Sequence, residues 1–231
     1  MIILSVLFFI TAILYSSVGF GGGSTYLALL LIWNFPYYIF PVIALICNVI
    51  VVSGNSFNYI RAGNYNFKLL IPFLIGSVPF AFIGGSLVIQ KDTFEILLFC
   101  VLSLAGVLLL INNKSYEDNN FKINKLTVFH TLPIGVILGF ISGVVGIGGG
   151  IFLSPILFLL KAENPKIIVT TASIFILVNS ISGILGQLTK QLLLSEVVNY
   201  WPLFLCVLIG GLFGNYINLK IFSGRILSII T

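Results

Sequence analysis

The sequence predicts an all-α protein that crosses a membrane several times and is built from two related halves. Three observations carry this expectation. Charged residues make up 7% and hydrophobic residues 59% of the 231 positions, against about 25% charged in an ordinary soluble domain. The 11 basic and six acidic residues leave six charge-free runs: Met1 to Ile60, Leu69 to Gln90, Ile96 to Asn113, Leu126 to Leu160, Ile167 to Thr189 and Val197 to Leu219. Finally, a glycine-rich sequence inside the first run recurs inside the fourth. So few charges cannot cover a water-soluble fold, whereas apolar surface in lipid needs no polar cover. The composition therefore speaks against soluble enzymes, nucleic-acid binders and disulfide scaffolds.

A transmembrane helix needs about 20 residues, so the runs offer five to eight spans. Backbone groups facing lipid must bond within their own segment, and no ten-residue alternation suggests a barrel; the spans are helices. The N-terminus, MIILSVLFF, lacks a basic leader and a small-residue cleavage site, so it is expected to stay as a membrane segment. Met1 to Trp33 as one helix would be about 50 Å long, well beyond the ~30 Å hydrocarbon core. The break belongs at Gly19 to Gly23, because each glycine costs about 1 kcal/mol in a helix interior. A new helix follows Asn34-Phe35-Pro36, with Pro36 and Pro41 marking its start.

Val18-Gly19-Phe20-Gly21-Gly22-Gly23 returns 127 residues later as Val145-Gly146-Ile147-Gly148-Gly149-Gly150. Each copy is followed by apolar residues, a short link, a long helix rich in Ser, Thr and Asn, and a further helix carrying Gly76, Gly84 and Gly85 or Gly210, Gly211 and Gly214. Two copies at matching places indicate a duplicated fold. Repeat 1 is residues 1–112, a polar hinge spans 113–126, and repeat 2 is 127–231. After Lys220 the sequence IFSGRILSIIT is too short to cross the bilayer, so the last helix of repeat 2 is expected to be missing or a half-span.

The positions of Lys and Arg choose between two topologies. If each broken run crosses once, they divide six against five. If each turns back as a re-entrant pair, every half has three full spans and the halves are inverted. Arg61, Lys68, Lys114, Lys122, Lys125, Lys161, Lys166, Lys220 and Arg225 then lie on one side, against Lys91 and Lys190 on the other. The inverted arrangement is the expectation, with a cytoplasmic hinge and the N-terminus outside.

Non-helical backbone at membrane depth is tolerated only where protein buries it or a cavity receives it. The helices restarting near Ser24 and Ile151 would each aim unpaired N–H groups and a positive dipole end at the membrane centre. Glycine lets an oxyanion reach those amides without a Cβ in the way. The candidate binding residues are therefore Gly19, Gly21, Gly22, Gly23, Ser24, Thr25, Gly146, Gly148, Gly149 and Gly150. Asn48 and Asn179, nearest mid-span on the helices that follow, are added to them as either substrate contacts or interhelical bonds. Close helix packing is the competing explanation of the glycines, since Gly19 and Gly23 also have GxxxG spacing. Asn55, Ser56 and Asn58 are read as near the interface and solvated.

The remaining polar residues point elsewhere. His130, at a helix end, is read as interfacial, and Glu163 and Glu196, flanking spans, as solvated. Trp33, Trp201, Tyr37, Tyr38 and Tyr200 form an aromatic belt. Cys47, Cys100 and Cys206 are far apart in apolar runs and suggest neither a disulfide nor a metal site. No nucleophile with a base, metal cluster or phosphate-binding lysine is evident, so neither catalysis nor a cofactor is expected.

On its two glycine motifs, and above all on SGVVGIGGGIFLSPILFLL from Ser142 to Leu160, the chain resembles the TauE/SafE sulfite exporter family. The first copy departs from that pattern, with Ala28 where Pro155 stands in the second. The resemblance implies a plasma-membrane transporter exporting sulfite, organosulfonates or related anions by alternating access. The residues alone imply a small anion. A permease or channel for a cation or neutral solute, and a non-transporting membrane scaffold, stay open as alternatives. Oligomeric state and coupling ion are not legible.

Overall fold

The computed structural model describes residues 1–112, 124, 126–190 and 193–221. Most of the expected hinge, and the expected terminal half-span, lie outside them. All regular structure among the described residues is helical. Five helices are long and apolar enough to cross a membrane: Tyr37–Arg61, Phe67–Ser86, Val128–Val145, Pro165–Gln187 and Trp201–Asn218. The chain is a multi-pass α-helical membrane protein.

Both expected breaks are present. Helix α1 (Ile2–Val18) ends at Gly19, whose φ of 91° turns the next amides back onto the helix: Gly19 N–H donates to Ser16 O and Phe20 N–H to Tyr15 O. Helix α2 (Gly23–Ile32) starts after Gly22 at φ 83°. The second copy repeats this geometry. Helix α6 (Val128–Val145) stops at Gly146 (φ 89°), Gly148 and Gly149 are also left-handed, and α7 (Gly150–Leu159) follows. These left-handed positions need glycine because a Cβ would press on the neighbouring carbonyl.

Each broken pair enters and leaves at one end of the bundle. Asn124, ahead of α6, donates its backbone N–H to Lys161 O (3.0 Å) and its side-chain amide to Leu160 O (3.2 Å), just past α7. At the other end Tyr38, in the 3₁₀ turn after α2, donates to Glu196 (2.8 Å), which precedes α10 (Trp201–Ile221). Helix α1 runs parallel to α10, with Phe9 against Phe213 and Asn218 bonded to Ser17 O. Its start therefore lies beside the start of α10.

Helices α3 (Phe40–Arg61) and α8 (Pro165–Gln187) form the buried centre, each with proline in its first turn where no N–H is missed. In the chain α3 is followed by α4 (Phe67–Ser86) and α5 (Lys91–Asn112), and α8 by the short α9 (Leu193–Val198). Helix α4 packs along α6 in parallel, as α10 does along α1, so each half supplies the neighbour of the other half's broken pair. Backbones touch at these seams. A Cβ at Gly135, Gly139 or Gly143 would strike Phe73 O, Ser77 O or Ala81 O on α4, and one at Gly210 or Gly214 would strike Phe9 O or Ile13 O on α1. Small residues at such crossings allow the close approach on which helix association in lipid depends. Close packing is thus shared between these glycines and those of the motifs, where a Cβ at Gly146 would stand 2.5 Å from Pro41 Cα and one at Gly150 would strike Ile176.

Candidate functional site at the glycine elbows

The two motifs meet. Asn48, fully buried on α3, donates its side-chain amide to Ile147 O (3.0 Å), in the middle of the second elbow. The same side chain lies against the first elbow: a Cβ at Gly21 would collide with its Oδ1, and one at Gly23 would sit 2.7 Å from its Nδ2 and 2.8 Å from Ile147 O. A Cβ at Gly148 would be equally close, 2.8 Å from that amide. Asn48 therefore touches both motifs, and its Oδ1 has no hydrogen-bond partner among the described residues.

Between the elbows lies a cavity of about 220 Å³, walled by Gly21, Gly22, Gly23, Ser24 and Ile147 with Leu14, Tyr15, Val18, Phe20, Ile151, Pro155 and Ile176. That is ample for a small oxyanion, since about 10–15 Å³ on the same kind of measure holds one water. None of these residues carries a formal charge. Among the described residues, no acceptor is found for the amides of Gly21, Gly22, Gly23 and Ser24, nor for those of residues 147–151. Buried N–H groups rarely go without a partner, and two helix starts concentrate them here with the positive ends of their dipoles. The chemistry on offer is neutral donation to an anion, the arrangement used at anion-binding nests.

The other sequence-predicted residues take different places. Gly19 caps α1 against Tyr59 and Val169, and Gly146 caps α6 against Pro41. Gly149 precedes α7 against Phe175, and Gly150 meets Ile176. Thr25 does not line the cavity, but its Oγ1 pairs with the OH of Tyr15, which does (2.8 Å). Asn179 donates to Phe175 O in its own helix (2.9 Å) and does not line the cavity. Ile176, rather than Asn179, stands to Gly148 and Gly150 as Asn48 stands to Gly21 and Gly23. The site is correspondingly asymmetric, polar beside the first elbow and apolar beside the second.

Two expectations are corrected. Asn55 and Ser56 are buried, not solvated: Ser16 donates to Asn55 Oδ1 (3.3 Å), and Ser56 pairs with Ser173 across α3 and α8 (3.1 Å). Their helix lies at the bundle centre, where a polar side chain must find a partner. Sequence reasoning also missed Tyr15, Ile147 and Ile176. The 127-residue offset of the motifs, applied to Asn48, falls next to Ile176 and would have pointed to it.

The description of the family Sulfite exporter TauE/SafE matches residues 4–230. A probable membrane transporter protein of Sinorhizobium fredii is 25% identical over 98% of this chain and 92% of its own length. One of Methanocaldococcus jannaschii is 32% identical over 79% of this chain and 70% of its own. One of Bacillus subtilis is 25% identical over 99% and 92%. No solved structure matches. A helical bundle with two glycine elbows around a central cavity, matched by the family description over nearly its whole length, places this chain in the TauE/SafE sulfite exporter family of membrane transporters.

Proposed function

We propose that the protein exports a small oxyanion, of the sulfite or organosulfonate class, across the plasma membrane by alternating access. The observation that carries this reading is the set of unpartnered amides at Gly21 to Ser24 and Ile147 around a charge-free cavity. Such a site favours an anion over a cation through the free first-turn amides and positive dipole ends of the two helices that start at it. It also holds the anion weakly enough to release it, since no lysine or arginine neutralises it. The sulfur chemistry is taken from the family to which the chain belongs.

We read the halves as inverted repeats, with the hinge cytoplasmic and Met1 outside. Support comes from the shared entry and exit of each broken pair, and from the parallel pairing of α1 with α10 and of α6 with α4. The clustering of Arg61, Lys68, Lys161 and Lys166 in the links where Asn66 bonds Glu163 (2.9 Å) fits a cytoplasmic face. An anion leaving a negative cytosol gains about 2.3 kcal/mol per charge per 100 mV. Rocking of one half against the other about the elbows would expose the cavity to each side in turn.

Purified protein in liposomes, offered sulfite, sulfate, thiosulfate, methanesulfonate, sodium and an uncharged solute, tests the function. Saturable anion flux is expected, faster with an inside-negative potential driving efflux. Flux of sodium or the uncharged solute alone would reject the proposal. With the native cysteines replaced, thiol labelling of Trp33→Cys and Lys166→Cys is expected from opposite faces; labelling of both from one face would reject the inverted arrangement.

A further inference from the structure

A second cavity, of about 550 Å³, opens at the end of the bundle where α8 finishes. Three connections wall it: the 3₁₀ turn with Tyr38, the link from α4 to α5, and the residues past α8 up to Lys190. Val144 forms part of its floor, two residues before Gly146, so the cavity backs onto the second elbow. It is separate from the central cavity, with which it shares no lining residue.

Lys190 is the cation on this wall; Glu196 lines the same cavity, but among the described residues no carboxylate lies within ion-pair distance of the Lys190 ammonium. Its ammonium donates to Gln187 Oε1 (3.0 Å), a neutral acceptor, which leaves two further N–H groups to offer. Gln187 is itself fixed: it is buried and donates through Nε2 to Gly143 O on α6 (3.2 Å). The carboxylate facing the same cavity, Glu196, accepts from Tyr38 OH (2.8 Å). Lys91, the other lysine at this end, pairs with Glu95 (3.7 Å). Burial holds the Lys190 ammonium below the usual lysine range, the mark of a charge short of solvent.

We infer that Lys190, positioned by Gln187, forms a second anion site in this vestibule, binding a small sulfonate or sulfur oxyanion outside the central cavity. Only the identity of this anion as the transported species rests on the function proposed above. In the inverted orientation the vestibule faces outward, so it would receive the anion on its way out. The Gln187 bridge to α6 ties that binding event to the base of the second elbow.

Protection of the lysine from acylation tests this without requiring transport. The full chain in lipid is treated with a water-soluble acetylating ester, with and without methanesulfonate, and the rate at each lysine is read by mass spectrometry. An anion that raises the Lys190 pKa by about one unit lowers its free-amine fraction, and so its acylation rate, about tenfold. Slowing at Lys190 and not at Lys91 is expected, in the native protein and in Gly149→Val alike. Equal rates at Lys190 with and without methanesulfonate would overturn the inference, even if liposomes carry sulfite. Protection in a protein that carries no anion would support the vestibule site and reject the transport function. As a second readout, Lys190→Gln should raise the half-saturating anion concentration from that face by roughly threefold or more, and Lys190→Arg should restore it. An unchanged value in Lys190→Gln would also overturn the inference.

Discussion

Gly23→Ala is expected to reduce anion flux by at least tenfold while leaving a folded, monodisperse protein. A tenfold loss is about 1.4 kcal/mol at the barrier. Alanine suits a helix start and Gly23 does not have positive φ, so the substitution imposes no backbone strain. Its effect is confined to the added methyl, which would stand 2.7 Å from Asn48 Nδ2 and 2.8 Å from Ile147 O. Carbon does not approach that closely, so the first elbow must move off the second and the cavity between them must change shape. Flux in liposomes with elution from a sizing column in detergent separates this from unfolding. Native flux in a well-folded Gly23→Ala protein would show that the contact between the elbows is irrelevant to transport.

The second large effect is expected at Asn48. Asn48→Leu keeps the volume near native but removes the donor to Ile147 O and leaves that carbonyl buried without a partner. The stability cost is about 1–3 kcal/mol. Anion flux should fall by at least tenfold, because the carbonyl fixes the orientation of the second elbow and of the amides beside it. Asn179→Leu is the comparison. Its amide bonds within its own helix, so its loss should reduce flux by less than about threefold, roughly 0.6 kcal/mol. Equal losses at the two positions would mean that any buried amide in these central helices matters to the same degree.

The fold was legible where one physical constraint dominated. Long uncharged runs force helices across lipid, and four glycines in five residues cannot persist as helix in a run too long for the bilayer, so both breaks were found where expected. The partnering of the helices was not legible. Gly135, Gly139 and Gly143 mark a close-packing face, but nothing in the sequence says that α4, from the other half, fills it. The site was partly legible for the same reason. Backbone amides follow from the motif, whereas the contacts of Asn48 depend on how two distant elbows meet. Asn48 and Asn179 look equivalent as mid-span amides, yet Asn179 lies three residues past Ile176, the residue that meets the second elbow, and so stands about 4.5 Å further along the helix. Asn55 and Ser56 misled because distance along a helix was taken for depth in the membrane, while burial by neighbouring helices decided their environment.

The central claim is that backbone amides of two elbows, rather than a charged side chain, hold the transported anion. Diffraction from crystals grown in lipid with selenite, a heavier relative of sulfite, measures this directly through its anomalous peak. The account predicts a peak inside the cavity, at hydrogen-bond distance of about 3 Å from the amides of Gly23 or Ser24 on one side and Ile147 or Gly148 on the other. Selenite found only against lysine or arginine side chains, with the elbow cavity filled by water or lipid, would contradict it.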